Sequence, residues 1–340
     1  MFVDGTKLRA NAGIAKDRTA NKCEKLLENI DKRINEIFAE CEKTDQQEQE
    51  NGSLVKLEKK LADTQKLKAE IEDALRTISD EDLKRINTTD PDSARMRGRQ
   101  GTHASYNAQI VVDEQHGLIV NSDVVNECND INQFTEQMDQ AHEILDKPCK
   151  NAVGDAGYFN VDDLDKYDRQ GINVIVPTPQ QARDNKPDPF ARSQFEYVSQ
   201  EDCYICPSGK KVPRRTYKPS KKVTEYALDQ ATCSQCEHYG ICCKSKTLGR
   251  TITRYDNEAL RQKLVDQYKE PSNQEIYSRR QATVELPFGH IKRNLGVSSF
   301  LLRGLGGVRS EMSLLSSCFN IVRLIGLLGV SGLIAKLESR

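Results

Sequence analysis

Neither charge is in excess in this 340-residue chain. Its 50 Lys and Arg stand against 51 Asp and Glu, so overall charge gives no support for nucleic-acid binding. Any such case has to come from local charge. No signal-peptide pattern opens the chain, where Met1 leads directly into a polar, lysine-bearing segment. Long unbroken apolar runs are also missing. The one extended stretch, Phe319 to Ile334, is interrupted by Asn320, Arg323, Gly326, Gly329 and Gly332. It is shorter than the roughly 20 residues that span a bilayer, and it reads as a buried helix followed by a loose tail. These absences predict a cytoplasmic protein with no membrane partner. Histidine is scarce too: His103, His116, His142, His238 and His290 show no metal-type spacing and read as surface or packing residues.

Cysteine, by contrast, is plentiful at eleven residues. Cys23, Cys41, Cys128, Cys149 and Cys318 are scattered and read as small apolar residues or inert thiols. The other six fall between 203 and 243. Cys203-x2-Cys206 and Cys233-x2-Cys236 can together supply four thiolates to one tetrahedral zinc, with Cys242 or Cys243 as substitutes. Free thiols or redox pairs are the competing reading, while a reducing compartment disfavours disulfides. Zinc held by four thiolates keeps no open position for water, so its role here would be structural.

The order of elements is informative. An apolar strand run opens the chain. From about Asp17 to Ile78 the apolar pattern is helical, recurring at three and four: Leu27, Ile30, Ile34, Ile37 or Phe38 and Cys41, then after a break Leu54, Leu57, Leu61, Leu67, Ile71, Leu75 and Ile78. The polar break from Thr44 to Ser53, ending in Asn51-Gly52-Ser53, predicts a helical hairpin. Strand signals return at Tyr106–Asp113 and Gly117–Val120, joined by a tight turn through Glu114-Gln115-His116. A helix over Asn132–Leu145, a strand ending at Asp155, a helix over Val161–Gln170 and a strand over Asn173–Val176 follow. That succession predicts an α/β fold: a ribonuclease H-like mixed sheet spanning 1–340. A helical hairpin is inserted at 15–82, and a Cys-rich, candidate zinc-binding insertion at 180–256 precedes the final catalytic helix.

Three acids stand out on these elements. Asp4 and Asp155 each follow a short apolar run, and Glu285 lies in a helix-friendly segment. Singly, each has a plain reading as a turn or surface residue. Together, two strand-borne aspartates and a helix-borne glutamate can converge on two Mg²⁺ or Mn²⁺ ions about 4 Å apart, the arrangement that cuts and rejoins phosphodiesters. The expectation is a polynucleotidyl transferase that needs no histidine or lysine base.

With these residues in view, the chain resembles the DDE-type transposases of bacterial insertion sequences, in the superfamily marked by a Tyr-Arg-Glu-Lys helix signature. The resemblance covers nearly the whole chain. It rests on Phe2-Val3-Asp4-Gly5-Thr6, Thr89-Asp90-Pro91-Asp92, Tyr106-Asn107-Ala108-Gln109 and Asp155-Ala156-Gly157-Tyr158, then on Val284-Glu285-x2-Phe288-Gly289-x-Ile291-Lys292 and Phe300-x2-Arg303-Gly304. It implies that Asp4, Asp155 and Glu285 are the metal-binding triad. Tyr277, Arg280 and Lys292 would be the signature partners that hold DNA phosphate. One residue is extra between Arg280 and Glu285, which keeps Arg279 open as a substitute. Related transposases carry a helical region upstream of the first aspartate. The chain therefore reads as a copy lacking its N-terminal region, or one started inside an interrupted element, with transposition impaired.

Local charge points the same way. From Ile276 to Arg323 seven basic residues (Arg279, Arg280, Lys292, Arg293, Arg303, Arg309 and Arg323) face two acidic ones, a net +5. A second basic run spans Lys210 to Lys222, with Tyr217 and Tyr226 as candidate base-stacking residues. The leading expectation is cleavage at element ends and strand transfer of the 3′-OH into target DNA. The alternatives are a ribonuclease H-like nuclease without strand transfer, or a non-catalytic DNA-binding scaffold. The partners implied are element-end and target DNA, together with a second copy of the chain, in the cytoplasm at the nucleoid.

Overall fold

A computed structural model of the chain describes residues 1–46, 52–98, 101–183 and 188–339. The chain opens with β1 (Phe2–Arg9), β2 (Asp17–Arg18), α1 (Ala20–Gln46) and α2 (Gly52–Asp80). Then come β3 (Ile86–Asn87), β4 (Ala94–Gly98), β5 (Gly101–Val112), β6 (Ile119–Val125) and α3 (Phe134–Leu145). A second series runs β7 (Asn151–Val153), α4 (Val161–Arg169), β8 (Asn173–Ile175), β9 (Glu196–Val198), β10 (Cys203–Ile205), β11 (Lys211–Lys218) and β12 (Val223–Ala227). It closes with α5 (Gln230–Ser234), β13 (Thr251–Tyr255), α6 (Glu258–Lys269), α7 (Pro271–Gly289), a π turn (His290–Asn294) and α8 (Leu305–Glu338). The protein is thus mixed α/β, and its elements group into two units. One comprises Met1–Asp130, Glu136–Lys147 and Gln281–Arg340, the other Ile131–Thr135 and Pro148–Arg280.

In the first unit β5 is the central strand. One edge pairs antiparallel with β1 along its whole length, from Phe2↔Val112 to Arg9↔Ser105. Along the other edge β4 pairs with the first half of β5 and β6 with the second. From Ala104 to Val112 every β5 residue is buried, as expected of a strand covered on both faces. Helices α1 and α2 pack as an antiparallel pair through Cys23, Ile30, Ile71, Ala74 and Ile78. The β2–β3 pair ties their outer ends together, with Asn87 Nδ2 donating to Asp17 Oδ1 at 2.8 Å. The break expected at Thr44–Ser53 falls largely on 47–51, outside the described residues.

The C-terminal stretch corrects the sequence reading. Phe319–Ile334 is neither a buried helix nor a loose tail but part of the 34-residue α8, where only Val308, Met312, Ser316 and Phe319 are buried. From Ile321 onward its apolar side chains are mostly exposed, and the helical path is interrupted only at Gly329, at φ 70°. By length and composition alone α8 could cross a bilayer. Its polar residues, however, engage the β5–β6 hairpin. Arg309 Nε donates to the Val124 carbonyl at 3.0 Å, and Asn320 both donates to and accepts from the Ile119 backbone, each at 2.8 Å. Arg323 Nε donates to the His116 carbonyl at 2.8 Å. These groups occupy the backbone of a strand edge that would otherwise invite pairing with another chain. At the helix start, the Gly304 and Leu305 N–H groups donate to Asp90 and Asp92, which gives the Asp90-Pro91-Asp92 segment a capping role.

In the second unit β7 and β8 are parallel and joined through α4, the connection that parallel neighbours require. The Phe134 ring meets Tyr158 and Tyr167 edge-on beside them. Residues 196–255 form a five-stranded antiparallel sheet, ordered β13-β12-β11-β10-β9, around Phe195, Tyr204, Val212, Tyr226 and Ile252. The sequence had shown this region only as Pro-, Lys- and Cys-rich.

Candidate active site

Strand alternation sets what β1 presents. Phe2, Val3 and Leu8 are buried, while Asp4 is half-buried opposite Ile110. Asp4 and Thr6, two residues apart, share a face, and Gly5 and Lys7 take the other. A Cβ on Gly5 would stand 2.6 Å from Asp130 Oδ1, so a larger residue after Asp4 would push the Asp130 and Gln109 side chains aside. That Asp130 oxygen already accepts from Asn107 Nδ2 at 2.7 Å and Gln109 Nε2 at 2.6 Å.

Glu285 lies on the exposed side of α7, and its Oε1 accepts from Gln281 Nε2 one turn earlier at 2.9 Å. Two residues later Pro287 has no N–H to return to the preceding turn. After Gly289 the helix widens into the π turn, a local geometry common near functional sites. Lys292 rides on that turn. Its Nζ donates to Thr6 Oγ1 at 2.5 Å, which brings an ammonium to the face of β1 that carries Asp4. Sequence reasoning missed Thr6, although its two-residue spacing from Asp4 on a strand was the available signal.

Asp155 ends the β7 turn. Its Oδ1 accepts the Gly157 N–H at 2.7 Å, so the plain reading of this residue as a turn cap is correct as far as it goes. Its Oδ2 lies 3.5 Å from Arg280, whose side chain is 12% exposed against 42% for Asp155. Arg279 is exposed, and the ion pair therefore selects Arg280 of the two arginines. Tyr277 packs edge-on against Tyr268, with ring centroids 5.1 Å apart. Arg293 and Arg303 are exposed, and Arg303 Nε donates to the Asn11 carbonyl at 2.9 Å. The three acids are divided between the units, Asp4 and Glu285 in the first and Asp155 in the second. Among the described residues, no three His, Cys, Asp or Glu side chains are spaced to hold a metal.

The Cys-rich segment departs from its sequence reading in three respects. Cys203 does not join the other thiols: on β10 it faces away from Tyr204 and lies 3.9 Å from Glu201 Oε2. Cys206, Cys233, Cys236, Cys242 and Cys243 instead line one small cavity. Burial pushes the Cys242 thiol up, with Arg250 pulling the other way and Cys233, Cys206 and Cys236 adding to the upward push. Tyr226 is buried in the sheet core and cannot stack on a base, whereas Tyr217 is exposed with its hydroxyl on Asp256 at 2.7 Å. Within the basic run, Lys211 pairs with Glu201, Arg214 with Asp202, Lys218 with Glu225 and Lys222 with Asp162, which removes much of its uncompensated charge.

Residues 205–325 match the family model described as Transposase DDE domain. The match supports a DDE-type transposase. Its span includes Glu285, Lys292 and five of the six clustered cysteines, and excludes Asp4 and Asp155. No curated protein and no solved structure matches the chain. At the level of the family, such proteins bind DNA, are polynucleotidyl transferases or nucleases, and use divalent metal ions.

Proposed function

We propose that the protein is the catalytic part of a DNA transposase with a ribonuclease H-like core. In this reading Asp4, Asp155 and Glu285 support hydrolysis of the phosphodiester at element ends and transfer of the 3′-OH into target DNA. The observation that carries it is the Lys292–Thr6 contact, which sets a cation from the Glu285-bearing segment beside Asp4. Carboxylate oxygens are the hard donors that Mg²⁺ or Mn²⁺ takes, so the chemistry of the three side chains suits such ions. When bound, they would activate the attacking oxygen and neutralise the leaving one.

The chain's own residues do the rest. Lys292 offers its ammonium to a DNA phosphate next to Asp4, and Arg293 and Arg303 extend the cationic surface. Arg280 and the Gly157 N–H hold the two oxygens of Asp155, which fixes the orientation of its carboxylate. Tyr277, held against Tyr268, sits one turn before Arg280 on the same helix. Paired element ends call for two copies of the chain, acting on nucleoid DNA in the cytoplasm.

The test compares wild type with Asp155→Ala and Glu285→Gln on an element-end duplex. Both variants should lose Mg²⁺-dependent cleavage and keep DNA binding. Cleavage unchanged in either variant would overturn the acid assignment. Joining of the cut end to a supercoiled target separates a transposase from a nuclease that only cuts.

A further inference from the structure

We propose that Cys206, Cys233, Cys236 and Cys242 form a structural zinc site that ties the β10–β11 turn to the segment after β12, and that Cys203 and Cys243 are not ligands. The proposal stands apart from the acid triad and is tested without it. Three features carry it.

Placement is the first. The cavity these thiols line measures about 20 Å³, room for one water-sized guest and therefore for one ion. Cys206 and Cys242 also pack against the same tyrosine-rich core. Cys242 is the thiol in electrostatic range of the other three, Cys206, Cys233 and Cys236. The side chains surround the cavity without yet standing at ligation distance, so binding would draw them inward and lock the two segments together.

The second feature is how the sulfurs are hydrogen-bonded. Cys206 opens a tight turn in which the Gly209 N–H donates to the Cys206 carbonyl at 2.8 Å and Gly209 takes φ +73°. That turn aims the Lys210 N–H at Cys206 Sγ, at 3.3 Å. The Arg250 N–H reaches Cys233 Sγ at 3.3 Å, and Ser208 Oγ lies 3.4 Å from Cys236 Sγ. A Cβ on Gly249 would stand 2.6 Å from the Asp229 carbonyl oxygen, so only glycine lets the segment before β13 press close enough to place Arg250 there. Thiols are weak acceptors, whereas donors of this kind orient and stabilise metal-bound thiolates. Cys243 is arranged differently: its Sγ donates to the Leu248 carbonyl at 3.4 Å and contacts Cys233 rather than a backbone N–H donor.

Charge is the third. Zinc with four thiolates carries a net −2, and burying that needs a cation nearby. Arg250 lines the cavity, with Nη1 on the Cys242 carbonyl at 3.0 Å and Nη2 on the Phe190 carbonyl at 2.8 Å. Its Nε is buried with no acceptor, so a donor at the cavity wall is left unanswered. On binding, the four thiols release their protons to solvent and the metal closes the tetrahedron.

The full chain, purified under reducing conditions and supplied with Zn²⁺, is expected to retain about one zinc per chain after desalting. Cys206→Ser, Cys233→Ser, Cys236→Ser and Cys242→Ser should each fall below half of that, while Cys203→Ser and Cys243→Ser match wild type. Because ligand variants can misfold, alkylation of the wild-type protein gives a variant-free readout. A chelator should raise modification of the four ligand cysteines several-fold and leave the exposed Cys128 and Cys318 unchanged. Wild type that holds no zinc, loss of zinc in Cys203→Ser, alkylation indifferent to chelator, or a disulfide among these thiols would each overturn the proposal.

Discussion

Lys292 Nζ donates to Thr6 Oγ1 across 2.5 Å, from the π turn behind the Glu285 helix to the face of β1 that carries Asp4. The contact joins residues 286 positions apart and brings the π turn after α7 against the first strand. Lys292 is itself exposed, which leaves its ammonium accessible to a phosphate oxygen.

Lys292→Ala is therefore expected to act on DNA more than on stability. Removing one phosphate contact should lower the slope of log affinity against log salt by about one. Cleavage should fall about 100-fold, the loss typical of one oriented donor. Melting should shift little, because the side chain is on the surface. A salt titration by fluorescence anisotropy reads the first effect, and an unaltered slope would remove Lys292 from the DNA contact. Thr6→Val, which leaves the ammonium in place, should keep the slope.

Arg280 and Arg279 make a sharper pair. Arg280 is nearly buried against Asp155, and Arg279 faces solvent. Arg280→Ala is expected to lower stability by on the order of 1 kcal/mol, the figure kept small because Asp155 is partly hydrated. It should also reduce cleavage, since Asp155 loses one of its two anchors. Arg279→Ala leaves the Arg280–Asp155 pair in place and should reduce cleavage less than Arg280→Ala does. Equal effects of the two substitutions would show that the ion pair does not position Asp155.

Several of these arrangements were readable beforehand, and the reasons others were not are physical. The β5–β6 hairpin was legible because two β-rich runs flank a short polar turn. The α1–α2 pair was legible from its three- and four-residue spacing. Exposure of α8 was not, because hydropathy reads the same for an apolar helix whether or not something covers it. Asn320 and Arg323 looked like interruptions of an apolar run, while their work is to bond the hairpin backbone. Cys203 and Cys206 look equivalent as a spaced pair, yet Cys203 lies on β10 and Cys206 lies past its end, in the turn that follows. The acids were singled out by order and setting alone. Nothing in one sequence could reveal that Arg280, not Arg279, meets Asp155.

Stability of the antiparallel sheet should depend on pH at both ends of the scale. Tyr226 and Tyr197 hydroxyls donate to Asp202 Oδ1 at 2.5 and 2.9 Å, and Arg214 lies 3.2 Å from Oδ2. The Tyr226 bond, then the Tyr197 bond, holds Asp202 below the usual carboxylate range, while burial, then the bond to Asp202, pushes Tyr226 up. A depressed carboxylate contributes fully above its unfolded value, about 3.9, and its contribution is lost as pH falls toward the lower folded value. A raised phenol contributes fully below about pH 10 and loses that contribution as pH rises. Tyr226→Phe should lower the neutral plateau by about 1 kcal/mol and flatten the alkaline decline. The acid limb should change less, because Asp202 is 39% exposed. Denaturant titrations at several pH values, followed by tyrosine near-UV circular dichroism, test this. An alkaline limb identical in wild type and variant would disprove the assignment.

Asn320 separates hydropathy from structure most directly. Asn320→Leu makes α8 more apolar and leaves its helix propensity no worse, so a reading of the sequence alone would score it as neutral or stabilising. The geometry requires the opposite. The Asn320 side-chain amide satisfies both the N–H and the carbonyl of Ile119, a residue only 6% exposed, and leucine can satisfy neither. Leaving buried backbone groups without partners costs about 1–3 kcal/mol each, more than one added apolar side chain on a largely exposed helix returns. Asn320→Leu is therefore expected to lower the unfolding free energy by about 2 kcal/mol and to speed hydrogen exchange at the Ile119 amide. Asn320→Asp keeps an acceptor for the N–H and loses the donor to the carbonyl, so its exchange rate at Ile119 should fall between the two. If leucine instead raised stability, the amide bonds would have to be weaker than the packing around them, and α8 would be held to the hairpin by its apolar face alone.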